Sequence, residues 1–351
     1  MKDAKPIRKG EELDEQKLAD YLKNNLSEAS GEIEILQFPA GASNLTYSVK
    51  IGEDEYVLRR PPFGNKVKSA HDMSREFNVL SKLSKVYEPA PKPLIYCEDE
   101  SVIGSDFYLM ERRKGLIIRG KAPQEMIDSP ELQKAACESF IANLVELHSL
   151  DYEKAGLGNL GKPEGYAKRQ VEGWSKRYFN AKTDENEEVE KVIEWLNARI
   201  TEDDDSSLVH NDYKFDNIML DPEDLTKIVA VLDWEMTTIG SPLMDFGTSL
   251  GYWMSKEAGE MMLNAPYNPR VLMENISRQE LAEMYAEKSG KDLSNIVYYY
   301  VFGTFKIAVI AQQIYYRYAK GFTQDERFAV FNKSVETLGK IALNAVNTNK
   351  L

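Results

Sequence analysis

Residues 208–220 read Leu208-Val209-His210-Asn211-Asp212-Tyr213-Lys214-Phe215-Asp216-Asn217-Ile218-Met219-Leu220, and together with the residues up to 235 this stretch decides the fold. It has the form H-x-D-x-x-x-x-N, a polar loop between two apolar runs. Sixteen residues beyond Asn217 stands Asp233, in Val231-Leu232-Asp233-Trp234-Glu235. An Asp221-Pro222 turn separates the apolar run 218–220 from a second one, 228–232. The pattern predicts a β-hairpin that returns Asp233 to the side of Asn217.

These residue types suit the transfer of a phosphoryl group from ATP, a reaction whose barrier falls mainly through positioning and charge neutralisation. Mg²⁺ takes oxygen ligands, so an amide oxygen and a carboxylate are suitable, and Asn217 and Asp233 are the candidate metal ligands. Asp212 lies five residues before Asn217. It is the candidate catalytic carboxylate that orients an acceptor hydroxyl and takes its proton. Lys214 would place positive charge on the γ-phosphoryl group. His210 reads as a structural histidine that holds the loop by hydrogen bonds. The plainer alternative is that these polar residues merely cap a loop, for which Asp and Asn are common choices.

Outward from this centre, the chain is a globular one of 351 residues, long enough for two packed units. The longest apolar run near the C-terminus, 301–311, is interrupted by Lys306, and no stretch reaches the length needed to span a bilayer. The first thirteen residues are charged and lack an apolar signal core, so a cytoplasmic protein without a membrane partner is expected. Cys97 and Cys137 are the only cysteines, too few for a disulfide framework, and both read as buried fillers. The net charge of −13 argues against nucleic acid as a partner.

Period-two alternation marks strands at 33–38, 47–51, 56–58 and 107–110, an antiparallel meander with a turn at 52–55. Helical spacing marks 11–26, 70–83, 129–150, a poorly bounded stretch at 161–194 and most of the chain from 245 onward. Pro89, Pro91 and Pro93 read as a connector. The expected fold class is therefore α+β, with a small antiparallel β-rich N-terminal lobe over 1–112 and a larger, mainly helical lobe over 113–351.

The segment around Asp212 and Asn217 resembles the catalytic loop of the aminoglycoside phosphotransferase and choline kinase-like superfamily, whose fold is protein kinase-like and bilobal. Asp233-Trp234-Glu235 resembles that family's metal-binding element. Gly240-Ser241-Pro242-Leu243-Met244-Asp245 resembles its G-x-P-x-x-D element, with Asp245 structural, and Leu147-His148-Ser149-Leu150-Asp151 is a further mark, with His148 as a packing residue. The resemblance implies that Gly41, Ser43 and Asn44 form a phosphate-covering turn. It implies that Arg59 pairs with the α- and β-phosphates and with Glu76, and that the main chain of Met110, Glu111 and Arg112 reads adenine. Arginine at position 59 replaces the lysine usual in protein kinases and keeps a permanent charge.

The wording Ser-Asn-Leu-Thr-Tyr, Val-Leu-Arg-Arg-Pro-Pro-Phe-Gly and Ala-His-Asp-Met-Ser-Arg-Glu is most similar to the branch of kinase-like domains associated with acyl-CoA dehydrogenases. That implies a metabolic hydroxyl acceptor, of hydroxyacyl type, and a functional link to an acyl-CoA dehydrogenase. A non-catalytic nucleotide-binding protein and an aminoglycoside or amino-alcohol kinase stay open as alternatives. The resemblance puts the acceptor site in the helical lobe, with Trp174, Tyr178, Tyr252, Trp253 and the helix 298–317 as candidate walls and Arg317 as a candidate anion contact. Glu257, Glu260, Glu274 and Glu280 are the acids that an aminoglycoside site would need.

Overall fold

In the computed structural model, which describes residues 3–26, 30–39, 44–63, 72–200 and 205–351, the alternating stretches pair into one sheet. Strands β1 (Ile33–Gln37), β2 (Leu45–Ile51), β3 (Asp54–Arg60), β4 (Pro93–Cys97) and β5 (Phe107–Glu111) are antiparallel in the order β1-β2-β3-β5-β4. Their inward residues, among them Ile35, Tyr47, Val49, Leu58, Phe107 and Leu109, form one buried cluster. Helix α1 (Glu15–Asn25) adds Leu18 and Leu22, one turn apart and both 0% exposed. Each such burial stabilises by roughly 1.5–3 kcal/mol. Asp14 accepts a hydrogen bond from Lys17 N and so starts this helix later than the apolar spacing from residue 11 suggests. Helix α2 (Met73–Leu83), capped by Asp72, turns Glu76 inward. Pro93 does not belong to the connector: it opens the edge strand β4, a position where a missing N–H is tolerated. A short α3 (Glu100–Ile103) completes this part.

The remaining elements are α4 (Gln124–Asp128), α5 (Pro130–His148), α6 (Tyr166–Ala181), α7 (Glu187–Asn197), β6 (Ser207–Val209), β7 (Ile218–Asp221), β8 (Asp224–Val231), β9 (Thr238–Gly240), α8 (Pro242–Tyr252), α9 (Gly259–Leu263), α10 (Arg270–Asn275), α11 (Arg278–Ser289), α12 (Ile296–Ala319) and α13 (Phe331–Thr348). The poorly bounded stretch 161–194 is two helices, because Asn186 caps α7 through Val189 N and breaks the run. Strand β6 pairs with β9, and β7 with β8 as the expected hairpin. Helices α8 and α12 meet backbone to backbone. A Cβ at Gly303 would fall on the Gly247 carbonyl, and one at Gly251 would lie 2.8 Å from Thr304 N. Only glycine permits that approach, and it fixes where Lys306, one turn beyond Gly303, delivers its ammonium group.

The chain divides into two compact units, one of Met1–Lys114 with Ala230–Glu235, the other of Gly115–Val229 with Met236–Leu351. The short excursion 230–235 puts Asp233 in the sheet-containing unit, which sequence order does not suggest. Among the described residues no helix is long and apolar enough to cross a membrane.

Candidate active site

The first unit gathers an ionic cluster around Arg59, near the end of β3. Its Nε lies 3.3 Å from Glu76 Oε2 and its Nη2 2.9 Å from Asp233 Oδ1. Glu76 Oε1 also accepts from Trp234 N at 3.2 Å, so the glutamate holds both the arginine and the backbone beside Asp233. Asp233 itself has φ 70, the left-handed region that a non-glycine residue adopts only when its surroundings impose it. Burial works to lower the Arg59 pKa, but Glu76, Tyr108 and Asp233 hold it well above the usual value. Burial pushes Glu76 up, against the pull of Arg59 and with the like charge of Asp233. The surrounding acidic groups explain the direction for Arg59, and burial explains that for Glu76.

Other expected nucleotide contacts fall in the same unit. Asn44 donates from Nδ2 to Glu235 Oε2 at 2.7 Å, and Arg75 Nη1 donates to the Glu235 carbonyl at 3.0 Å. Gly41 and Ser43 lie outside the described residues. Met110 is buried in β5 opposite Val57. The Glu111 N–H is taken by the Lys92 carbonyl at 2.9 Å. The Arg112 guanidinium is held by Asp3 at 2.6 Å and Glu55 at 2.7 Å. Tyr108 stands opposite Arg59 across the β3–β5 pair, so Glu111 is roughly 10 Å further along that pair.

In the second unit Asp212 is the hub. Its Oδ2 accepts from Lys214 Nζ and, at 2.9 Å, from Asn217 Nδ2; its Oδ1 accepts from the Tyr252 hydroxyl at 2.7 Å. Burial would raise this carboxyl, yet Lys214 and Tyr252 outweigh it and keep Asp212 below the usual carboxylate range. Tyr252 is driven well above its ordinary value by burial and by Asp212. Lys214 also lies over the Tyr252 ring, 5.1 Å from its centroid. Asn217 Nδ2 bonds the Asp212 carbonyl as well, at 2.9 Å, so the atom this amide has left to offer is its oxygen. The Asp233 side chain is 31% exposed, with Oδ1 on Arg59. Both are hard oxygen donors of the kind Mg²⁺ takes.

The loop before Asp212 is held by residues that never reach the chemistry. Asp245, in the first turn of α8 behind the Ser241 cap, accepts from His210 N and Asn211 N, each at 2.7 Å. It also bonds His148 Nε2 at 3.1 Å, and His148 Nδ1 bonds the Tyr285 hydroxyl at 2.8 Å, so His148 is a hydrogen-bonded link rather than a packing residue. His210 Nδ1 accepts from Asp212 N at 3.2 Å, the structural role read for it. Asn211 has φ 68 and is clamped on every side. Its N–H meets Asp245, its Nδ2 donates to the Met236 carbonyl at 3.1 Å, its Oδ1 accepts from the Tyr166 hydroxyl at 3.1 Å, and its carbonyl accepts from Lys306 Nζ at 2.7 Å. Burial lowers the Lys306 pKa to about 8, although Asp245 and Asp212 oppose it. The only sign of this residue in the sequence is that one lysine interrupts an apolar run.

Of the expected acceptor walls, Tyr178, Trp253 and Tyr298 are at most 1% exposed and pack in the core, whereas Tyr252 reaches Asp212. The acids of the C-terminal third act locally. Glu260 and Glu274 pair with Arg270, and Glu280 closes the capping box of α11. Both cysteines are buried thiols, and burial pushes Cys137 up.

The phosphotransferase enzyme family matches residues 34–267. Acyl-CoA dehydrogenase family member 11 of Homo sapiens is 33% identical over 338 residues, covering 94% of this chain and 43% of that protein. Acyl-CoA dehydrogenase family member 10 of Mus musculus is 32% identical over 342 residues, covering 96% and 32%. The chain thus spans less than half the length of these relatives. A solved Ralstonia eutropha structure, provisionally assigned as an aminoglycoside phosphotransferase, superposes with a TM-score of 0.78 at 26% identity, covering 96% of this chain and 99% of that one. Choline kinase from Cryptosporidium parvum, at 13% identity and a TM-score of 0.63 over 95% and 99%, shares the fold. The fold is the protein kinase-like α+β type. The chain belongs to the phosphotransferase enzyme family.

Proposed function

We propose that this protein transfers the γ-phosphoryl group of ATP to a hydroxyl of a small molecule. The observation that carries the reading is the state of Asp212: a partly buried carboxylate kept ionised by Lys214 and Tyr252, with Asn217 locked to it. Asp212 orients the acceptor hydroxyl and takes its proton as the new O–P bond forms and the bond from the γ-phosphorus to the bridging oxygen of ADP breaks. Lys214 sets positive charge beside the transferred group. Arg59, held by Glu76, meets the α- and β-phosphates, Asn44 belongs to the turn that covers them, and the Met110–Arg112 backbone borders adenine. Asn217 and Asp233 would hold Mg²⁺, which when bound supplies charge against the phosphate oxygens.

The names of the curated relatives support a functional link to an acyl-CoA dehydrogenase, and an acceptor of hydroxyacyl type is the compound such a link suggests. The aminoglycoside and choline kinase neighbours below 25% identity support the fold alone. The test is an ATP-consumption screen with Mg²⁺ over hydroxyacyl compounds, amino alcohols and aminoglycosides. Acceptor-dependent ADP release that Asp212→Asn removes establishes the reaction and names the acceptor class. ATP that binds but is never consumed, across the whole panel, favours the non-catalytic nucleotide-binding reading.

A further inference from the structure

Two helices of the second unit that touch the loop before Asp212 run on into an arginine-lined cleft. Helix α6 touches Asn211 through the Tyr166 hydroxyl and α12 through Lys306 Nζ. Eleven residues beyond these contacts stand Arg177 on α6 and Arg317 on α12, roughly 16 Å of rise along each helix. Their far ends are tied together, because Gln312 Nε2 donates to the Ala181 carbonyl at 2.9 Å. There an open cleft of about 250 Å³ is lined by Arg177, Asn180, Ala181, Gln313, Tyr316 and Arg317. Arg177 lies over the Trp174 ring, 4.5 Å from its centroid, and Lys306 Nζ is 5.7 Å from the same centroid. One indole thus touches both a cleft arginine and the lysine that holds the loop before Asp212.

Among the described residues neither Arg177 nor Arg317 has an ion pair or a side-chain hydrogen bond. In a chain of net charge −13, Arg113 and Arg270 each hold two acids, whereas Arg177 and Arg317, like Arg199, hold none. Two guanidinium forks facing one cleft, with amide groups between them, match the planar oxygens of a carboxylate or phosphate.

We propose that this cleft holds the anionic end, a carboxylate or a phosphate, of the acceptor whose hydroxyl reaches Asp212. The acceptor is then an extended molecule, with its charge at the arginines of α6 and α12 and its hydroxyl at Asp212. The acceptor part of this statement rests on the kinase reading; the anion site does not.

The test has two parts on the full chain. Calorimetric titration without ATP, using inorganic phosphate in one arm and succinate in the other, compares wild type with Arg177→Gln and Arg317→Gln. Saturable binding weakened at least tenfold in both variants is expected, and the tighter arm tells phosphate from carboxylate. No binding, or binding equal in all three proteins, overturns the proposal and leaves Arg317 as a complement to the carbonyl end of α12 and Arg177 as a partner of the Trp174 ring. In turnover, the same variants should raise KM for an anionic acceptor at least tenfold, with kcat within about twofold. The KM for its neutral amide should not move. Equal KM effects on both acceptors also overturn the proposal. Anion binding at the arginines with no ATP consumed by any acceptor instead removes the kinase reading and leaves the anion site standing.

Discussion

The two charged clusters are built on opposite plans. Around Arg59 the side chains hold one another: a strand, a helix and a six-residue excursion from far along the chain each supply one charge, and one guanidinium serves two carboxylates. Around Asp212 the side chains proposed to react come from one loop, and the holding is done by others from behind. Asp245 and Lys306 bond the loop's backbone, Tyr166 bonds the Asn211 side chain, and His148 bonds Asp245. The first plan depends on its arginine, because without it the buried Glu76 is left alone. The second separates chemistry from support, so the two can fail separately.

The sharpest way to break the second plan at its chemistry is Asp212→Asn, which should lower kcat by about 10³-fold while ATP binding, read by calorimetry, changes little. Retained turnover would remove Asp212 from the mechanism. In the first cluster Arg59→Ala leaves Glu76 buried without its cation and should destabilise by about 3–5 kcal/mol in denaturant melts at neutral pH. The loss should shrink as the pH falls, since Glu76, already pushed up by burial, can then take a proton that it holds less readily in the unfolded chain. A loss that does not vary with pH would show that the pair is not the source.

The support behind Asp212 is tested by Gly303→Ala. The added methyl has to displace the Gly247 carbonyl, and about 1–3 kcal/mol of stability should go, with α8 pushed off α12 and Lys306 drawn from Asn211. The smallest effect is the pH dependence removed by Lys306→Met. The folded lysine releases its proton near pH 8 and the unfolded one near 10.5. Between those values the unfolded chain binds more protons, so this residue makes stability rise with pH, by about 1 kcal/mol per unit. The wild-type minus Lys306→Met difference in melting curves should carry that rise above pH 8 and be flat below it.

Much of this was legible in the chain. Alternation gave the meander 33–58, because a strand with one buried face must repeat every two residues. The spacing from Asp212 to Asn217 marked the loop, because both groups leave a single short turn. The edge strand β4 was hidden by Pro93 and the prolines before it, and the break between α6 and α7 by the continuous helical composition on either side of Asn186. Lys306 and Tyr252 were present only as an interruption in an apolar helix and as one aromatic among many.

What the sequence determined by itself was therefore local: which segments are strands or helices, and which polar residues share a loop. Short-range periodicity and spacing encode these directly. That Asp233 pairs with Arg59, 174 residues away, and that Lys306 reaches back 95 residues to Asn211, was decided by the tertiary structure alone. Such partners are set by where glycines let backbones touch and by which buried charges must find an opposite, and neither leaves a period in the chain.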